Sequence, residues 1–267
     1  MRSIQQPPFT LRIAVIFEDL KERVMIAESM ARDGAWLFRH RGILPLFLLI
    51  PGLWSLSHFQ YLAGSHSAQH VWDWICLSVS IFGLIIRATT VGFVDNGTSG
   101  RNTACQIATE LNTTGWYSVV RNPLYLGNFL VTMGIIMVPA DLSLIAITGC
   151  LFWIYYERII SAEEEFLSQK FGNAYVAWSC ATPLFMPRLS GWVAPSRSFR
   201  VRMVLRREYC AVLLIGIAFL LLNFLEHVVA EQRYYVDSAW VIFFGCTLSI
   251  FLTLRTLKKK TTILNPR

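Results

Sequence analysis

Residues 124–156 read LYLGNFLVTMGIIMVPADLSLIAITGCLFWIYY, an apolar run broken only by the PAD triplet at Pro139, Ala140 and Asp141. One bilayer crossing takes roughly 17–25 apolar residues, so the run reads as two helices joined by a tight turn. Working outward, further spans of bilayer length begin near Ile43, Trp72, Glu208 and Ala239, which predicts six in all. The fold class that follows is all-α, a polytopic membrane helical bundle.

The rest of the chain agrees. Of its 267 residues, 54% are hydrophobic and 15% charged, against about 25% charged in soluble domains, and the mean hydropathy is +0.47. The net charge of +7 points not to nucleic acid but to topology. Lys and Arg collect in alternate connections: Arg12, Lys21, Arg23, Arg32, Arg39 and Arg41 before the first span, Arg101 and Arg121 after the second, Arg188 to Arg207 after the fourth, and Lys258 to Lys260 after the last. The other connections hold only Arg233. The positive-inside rule then places both termini in the cytoplasm. Cysteines 76, 105, 150, 180, 210 and 246 are dispersed without a C-x-x-C pair and read as small buried hydrophobes. Residues 1–40 lack the short apolar region of a signal peptide, so the first span is expected to act as its own insertion signal.

Three regions follow. Residues 1–42 are a cytoplasmic amphipathic segment, with Ile13, Phe17, Leu20 and Val24 at helical spacing over 10–32, lying on the membrane surface or packed on the protein's own loops. Residues 43–190 form the membrane core, and 191–267 a basic linker with two further spans. Within the core, the polar stretch 96–114 predicts loop with a short helix around 105–111. Nothing breaks the fourth helix up to Lys170, where Gly172 suits a C-cap.

Three motifs converge at one cytoplasmic face: LNTTGWY (111–117), RNPLYLG (121–127), and the helix end carrying Glu157, Arg158, Glu163, Glu164 and Glu165. Pro123 suits a first helical turn, and Gly115 and Gly127 permit close backbone approach. Charged groups at this depth are costly unless paired or hydrated, so the cluster is either a site or a salt-bridge network anchoring the helix pair.

These motifs resemble those of the integral-membrane methyltransferases that include isoprenylcysteine carboxyl methyltransferase and the phospholipid methyltransferases. The shared pattern is carried by Leu111, Thr113, Gly115 and Tyr117, then Arg121, Asn122, Pro123, Tyr125 and Gly127, then Glu163, Glu164, Leu167, Phe171, Gly172 and Tyr175. It covers about residues 75–187. The resemblance implies a cytoplasmic pocket for S-adenosylmethionine, held by Leu111, Asn112, Tyr117, Asn122, Pro123, Leu124, Tyr125 and Glu163. The candidate catalytic positions are Arg121, Arg158 and Glu164, from the chemistry an acceptor needs. Asn122 stands where the family pattern has histidine, and Ile159 where related carboxyl methyltransferases have an acceptor-binding arginine, with Arg158 next to it.

A carboxylate or phosphate acceptor is already nucleophilic and needs positioning by Arg121 or Arg158; an amine acceptor would need Glu163 or Glu164 as base. The expected substrate is therefore a membrane lipid or lipidated molecule, anionic by preference, with a phospholipid amine or a prenylcysteine-like carboxylate as alternatives. The RATTVG stretch at 87–92 resembles bacterial lipid A phosphate methyltransferases, which implies a bacterial inner membrane. An NADPH-dependent reductase of sterol reductase type is the competing enzyme reading, and a non-catalytic scaffold the third. No metal site is expected: His66 and His70 are four apart, but they fall in a predicted outer loop without a third ligand. Trp72, Trp74, Tyr61, Tyr234 and Tyr235 read as interface anchors.

Overall fold

The PAD triplet is a turn. Ala140 takes the left-handed conformation (φ 54), and the Asp141 carboxylate accepts from the amides of Ser143 (2.9 Å) and Leu144 (3.2 Å), capping the helix that follows. Around this turn, the computed structural model describes residues 21, 25, 29, 30, 32–34, 36–94 and 108–264. Its helices are α1 (Leu49–Ser57, after a 3₁₀ turn at Leu44–Leu48), α2 (His66–Phe93), α3 (Pro123–Ile136), α4 (Leu142–Phe171), α5 (Asn173–Ala181), α6 (Val201–Ala230) and α7 (Ser238–Lys260). No β-strand occurs among the described residues.

The segment Leu44–Gly64 and helices α2, α4, α6 and α7 are each long and apolar enough to cross a membrane. The chain is an integral membrane protein. The sixth expected span, α3, has only 14 residues. Helix α4 has 30, about 45 Å at ~1.5 Å per residue, so its last turns outrun a hydrocarbon core of ~30 Å. It stops where predicted, at Gly172 with φ 52.

Neighbouring helices run antiparallel, and the α2–α3 pair is drawn together by small residues. A β-carbon on Gly83 would lie 2.6 Å from the Gly127 carbonyl oxygen and 2.7 Å from the Val131 amide, and one on Gly134 would strike Ser80. In lipid, where apolar side chains gain nothing by leaving solvent, such backbone approach is what associates helices. Two apolar clusters complete the interior. Ile86, Val119, Val120, Leu126, Phe152, Ile160 and Phe185 pack at one end, and Cys76, Leu77, Val138, Ile215, Phe219 and Trp240 at the other. Ile50, Trp54, Ile85, Leu214 and Ile242 are exposed on the outside, as lipid-facing positions are.

Three expectations are corrected or fall outside. The amphipathic helix over 10–32 lies mostly outside the described residues, as do Cys105 and the start of the 105–111 helix; residues 108–111 are not helical. Of the described cysteines only Cys76 is fully buried, while Cys150, Cys180 and Cys246 are exposed, since in a membrane bundle an apolar residue can face lipid. His66 and His70 belong to the first turns of α2 rather than to a loop.

Candidate functional site

Adjacent glutamates on a helix point about 100° apart, and Glu163 and Glu164 therefore meet different partners. Tyr125, on the first turns of α3, donates its hydroxyl to Glu163 Oε1 at 2.7 Å. Arg121, just before that helix, places Nη1 2.7 Å from Glu164 Oε1. Pro123 opens α3 at its first turn, as its fixed φ and missing amide hydrogen favour. The proline turn and the doubled glutamates thus form one constellation. Arg158 has no ion-pair or hydrogen-bond partner among the described residues; it is Arg121 that Glu164 orients. The Tyr175 hydroxyl lies in the field of Glu164 and Arg121 but outside hydrogen-bonding geometry. Burial raises its pKa above the ordinary tyrosine range, and Glu164 adds to the effect.

The loop 111–121 is held open by the chain that follows α5. Gly115 (φ 62) donates its amide to Val193 O at 2.9 Å, Val193 N donates to Ser118 Oγ at 2.9 Å, and Arg121 N donates to Pro183 O at 2.9 Å. Trp116 Nε1 donates to Thr89 Oγ1 on α2 at 2.8 Å, and Trp178 Nε1 to Tyr117 O at 3.0 Å. Behind this frame is a cavity of about 90 Å³ lined in part by Leu111, Asn112, Tyr117, Glu110 and Arg197. Asn122, Pro123, Leu124, Tyr125 and Glu163 are outside its lining. The Asn122 carbonyl accepts from the amides of Tyr125 and Leu126 at 3.1 Å each, while among the described residues its side chain makes one long contact, Nδ2 to Leu184 O at 3.5 Å. Tyr117 links the two parts: burial raises its hydroxyl pKa first, the Glu163 charge raises it further, and Arg207 opposes both.

Several participants are invisible to motif reading. Arg41 acts electrostatically on Glu163, Tyr125 and Tyr156, and Gly34 packs against the Arg158 carbonyl so closely that no β-carbon would fit. A polar chain runs across four helices: Glu208 on α6 binds Arg87 on α2 in bidentate fashion (3.0 Å and 3.0 Å), Arg87 donates to Asn128 on α3, and Asn128 Nδ2 donates to the Tyr156 hydroxyl on α4 at 3.3 Å. The Tyr156 ring packs on Tyr125 with centroids 4.6 Å apart. The only sequence signal for Arg41 and Arg207 was their membership of basic runs, which also satisfy topology.

The residues fit a sulfonium donor. A carboxylate held by a tyrosine suits a cationic or hydroxyl-bearing ligand, and the tyrosine faces suit a cation. The Arg121 Nε is buried without a partner, a donor still to be used.

The chain is 28% identical over 204 residues to the nickel-cobalt-cadmium resistance protein NccN of Alcaligenes xylosoxydans xylosoxydans, covering 74% of this chain and 80% of that protein. It is 29% identical over 144 residues to the cobalt-zinc-cadmium resistance protein CzcN of Cupriavidus metallidurans, covering 52% of this chain and 64% of that one. No solved structure matches the chain. Residues 74–174, which hold most of the α2–α3 pair, the polar loop, the proline turn and both glutamates, match the phospholipid methyltransferase family.

Proposed function

We propose that the protein transfers a methyl group from S-adenosylmethionine to an anionic acceptor held in the membrane. The observation that carries this reading is the meeting of Tyr125 with Glu163 and of Arg121 with Glu164 inside the family-matched segment. When bound, S-adenosylmethionine supplies a methyl group on a sulfonium, ready for in-line displacement. Glu163 would hold its ammonium or ribose hydroxyls, Tyr117 and Tyr125 would face its cation, and Leu111 and Asn112 with the backbone of 122–124 would complete the cradle. Glu164 fixes Arg121, and Arg158 has no carboxylate partner among the described residues. Arg121, whose buried Nε has no hydrogen-bond partner, would receive the acceptor's anion, and Arg158 is the second candidate for that role. Arg87, in the RATTVG stretch, is already engaged by Glu208 and supports the site instead.

Basic residues Arg206, Arg207 and Lys258 to Lys260 lie at the same end of the bundle as Glu163, whereas the opposite end carries Arg233. By the positive-inside rule the site faces the cytoplasm, where a water-soluble donor meets a lipid head group from the inner leaflet. The resistance functions in the two relatives' names suit such a reaction. A phosphate monoester carries about −1.5 to −2 at neutral pH; methylation leaves one negative charge, and a less anionic surface concentrates divalent cations less.

The test is calorimetric binding of S-adenosylhomocysteine and NADPH to purified protein, followed by incubation of membranes with isotopically labelled S-adenosylmethionine and mass spectrometry of the labelled lipid. Glu163→Gln and Tyr125→Ala should abolish donor binding while preserving membrane insertion. Binding of NADPH alone, or undiminished methyl transfer in both variants, refutes the proposal.

A further inference from the structure

At the opposite end of the bundle, three helix termini bring together residues that are far apart in sequence. His66 opens α2, His227 sits in the last turn of α6, and Glu231 caps α6. One ring nitrogen from each histidine and one Glu231 oxygen lie within 4.8 Å of one another. Asp237, preceding α7, places Oδ2 3.5 Å from His66 Nε2, 3.5 Å from His227 Nε2 and 3.9 Å from His70 Nδ1. The His66 and His227 rings stack at 5.2 Å.

Two independent observations point to a missing ligand. The His227 side chain is 0% exposed, yet its Nε2 has no hydrogen-bond partner, and neither has His70 Nδ1. A buried ring nitrogen without a partner is costly, and a cation would satisfy it. The charge balance is also one-sided. Glu231 and Asp237 face the histidines, with Asp73 and Glu226 bound to Gln69 behind them, while the basic residue of this end, Arg233, is 73% exposed and reaches Glu231 Oε2 only at 4.0 Å.

We propose that His66, His227 and Glu231 bind one divalent transition-metal ion, with Asp237 as a fourth oxygen donor nearby. Imidazole and carboxylate without thiolate suit zinc, cobalt or nickel over magnesium or calcium. In a tetrahedral site with bonds of ~2.0–2.2 Å, ligand atoms sit about 3.3–3.5 Å apart, so the observed spread closes by side-chain rotation of His66 and Glu231. Tyr61 positions the ligands, donating to Glu231 Oε1 at 2.8 Å and contacting His227 Nδ1 at 3.0 Å. Asn223 does the same for Asp237, donating to Oδ2 at 3.1 Å. The site is independent of methyl transfer.

The experiment titrates the purified, metal-stripped full chain in detergent with Zn²⁺ by calorimetry and with Co²⁺ by visible d–d absorption, using Mg²⁺ for comparison. One ion per chain is expected, with Mg²⁺ far weaker. His66→Ala and Glu231→Gln should each weaken Zn²⁺ binding by at least about 10-fold, and Tyr61→Phe by about 10-fold, the usual effect of losing an outer-shell partner. Both ligands are partly exposed, so metal-free helicity and melting should match wild type. Absence of stoichiometric binding, equal affinity for Mg²⁺, or wild-type affinity in both ligand variants overturns the proposal.

Discussion

Replacing Arg87 with methionine strips the partner from Glu208, whose side chain is only 6% exposed. A buried carboxylate left unpaired costs about 3–5 kcal/mol, and Asn128 loses its guanidinium donor at the same time. Glu208→Met costs less, toward ~3 kcal/mol, because Arg87 is 20% exposed and keeps Asn128. In the double variant no charge is stranded. What remains is the unpaired Asn128 carbonyl, a loss of about 1–2 kcal/mol. The double variant should therefore be more stable than either single one by about 1–3 kcal/mol. The assay is a double-mutant cycle by SDS-driven unfolding in micelles, followed by tryptophan fluorescence, with refolding checked from both directions. If the double variant loses the sum of the single losses, the two charges act independently and the chain of contacts from α6 to Tyr156 does not exist.

Other perturbations probe the remaining elements. Tyr125→Phe keeps the ring but removes a hydrogen bond to a carboxylate, an interaction of about 1.5–3 kcal/mol, so S-adenosylhomocysteine affinity measured by calorimetry should fall roughly 10- to 100-fold. Gly83→Ala would put a β-carbon 2.6 Å from the Gly127 carbonyl oxygen; the helices must part, and an unfolding titration should show a loss of about 1–3 kcal/mol. Asp141 is held below the ordinary carboxyl range by Ser55 and by the amides of Leu144 and Ser143. Its folded-state pKa being depressed, it stabilises above the unfolded value of ~3.9 and ceases to as pH falls through the folded value. Asp141→Ala should cost about 0.5–2 kcal/mol at neutral pH and progressively less as the pH falls through the folded value, read as the difference in melting profiles along an acid series.

What the sequence shows directly is whatever the backbone must obey locally. Pro123 begins a helix, Ala140 and Asp141 turn the chain, and Gly172 ends α4, each because one residue type satisfies one conformational demand. The encounter of Tyr125 with Glu163 was readable as well, since two motifs flanking a helical hairpin can only meet at its open end. Contacts between distant elements were not readable. Arg41 and Arg207 served equally well as topological charges, and Arg87 and Glu208 are 121 positions apart. His227 and Glu231 are four apart on α6, but His66 joins them only after α2 and α6 pack antiparallel, so spacing alone never shows three ligands together. The cysteines mislead for another reason: hydrophobicity predicts removal from water, and a bilayer offers that on the outside of the protein.

Helix α3 has 14 residues, which at ~1.5 Å each spans about 21 Å of a hydrocarbon slab near 30 Å deep. Its far end is tied to α2 through Trp72 and the Met137 carbonyl, and its middle through Gly83, so it cannot slide to make up the difference. The mismatch would fall on the bilayer, thinning it around Pro123. A lipid head group drifting into that depression sinks toward Arg121 and Arg158 with its acyl tails still among their neighbours. Under the proposed reaction, such an acceptor would be reached by reshaping the leaflet, without extracting the lipid from it.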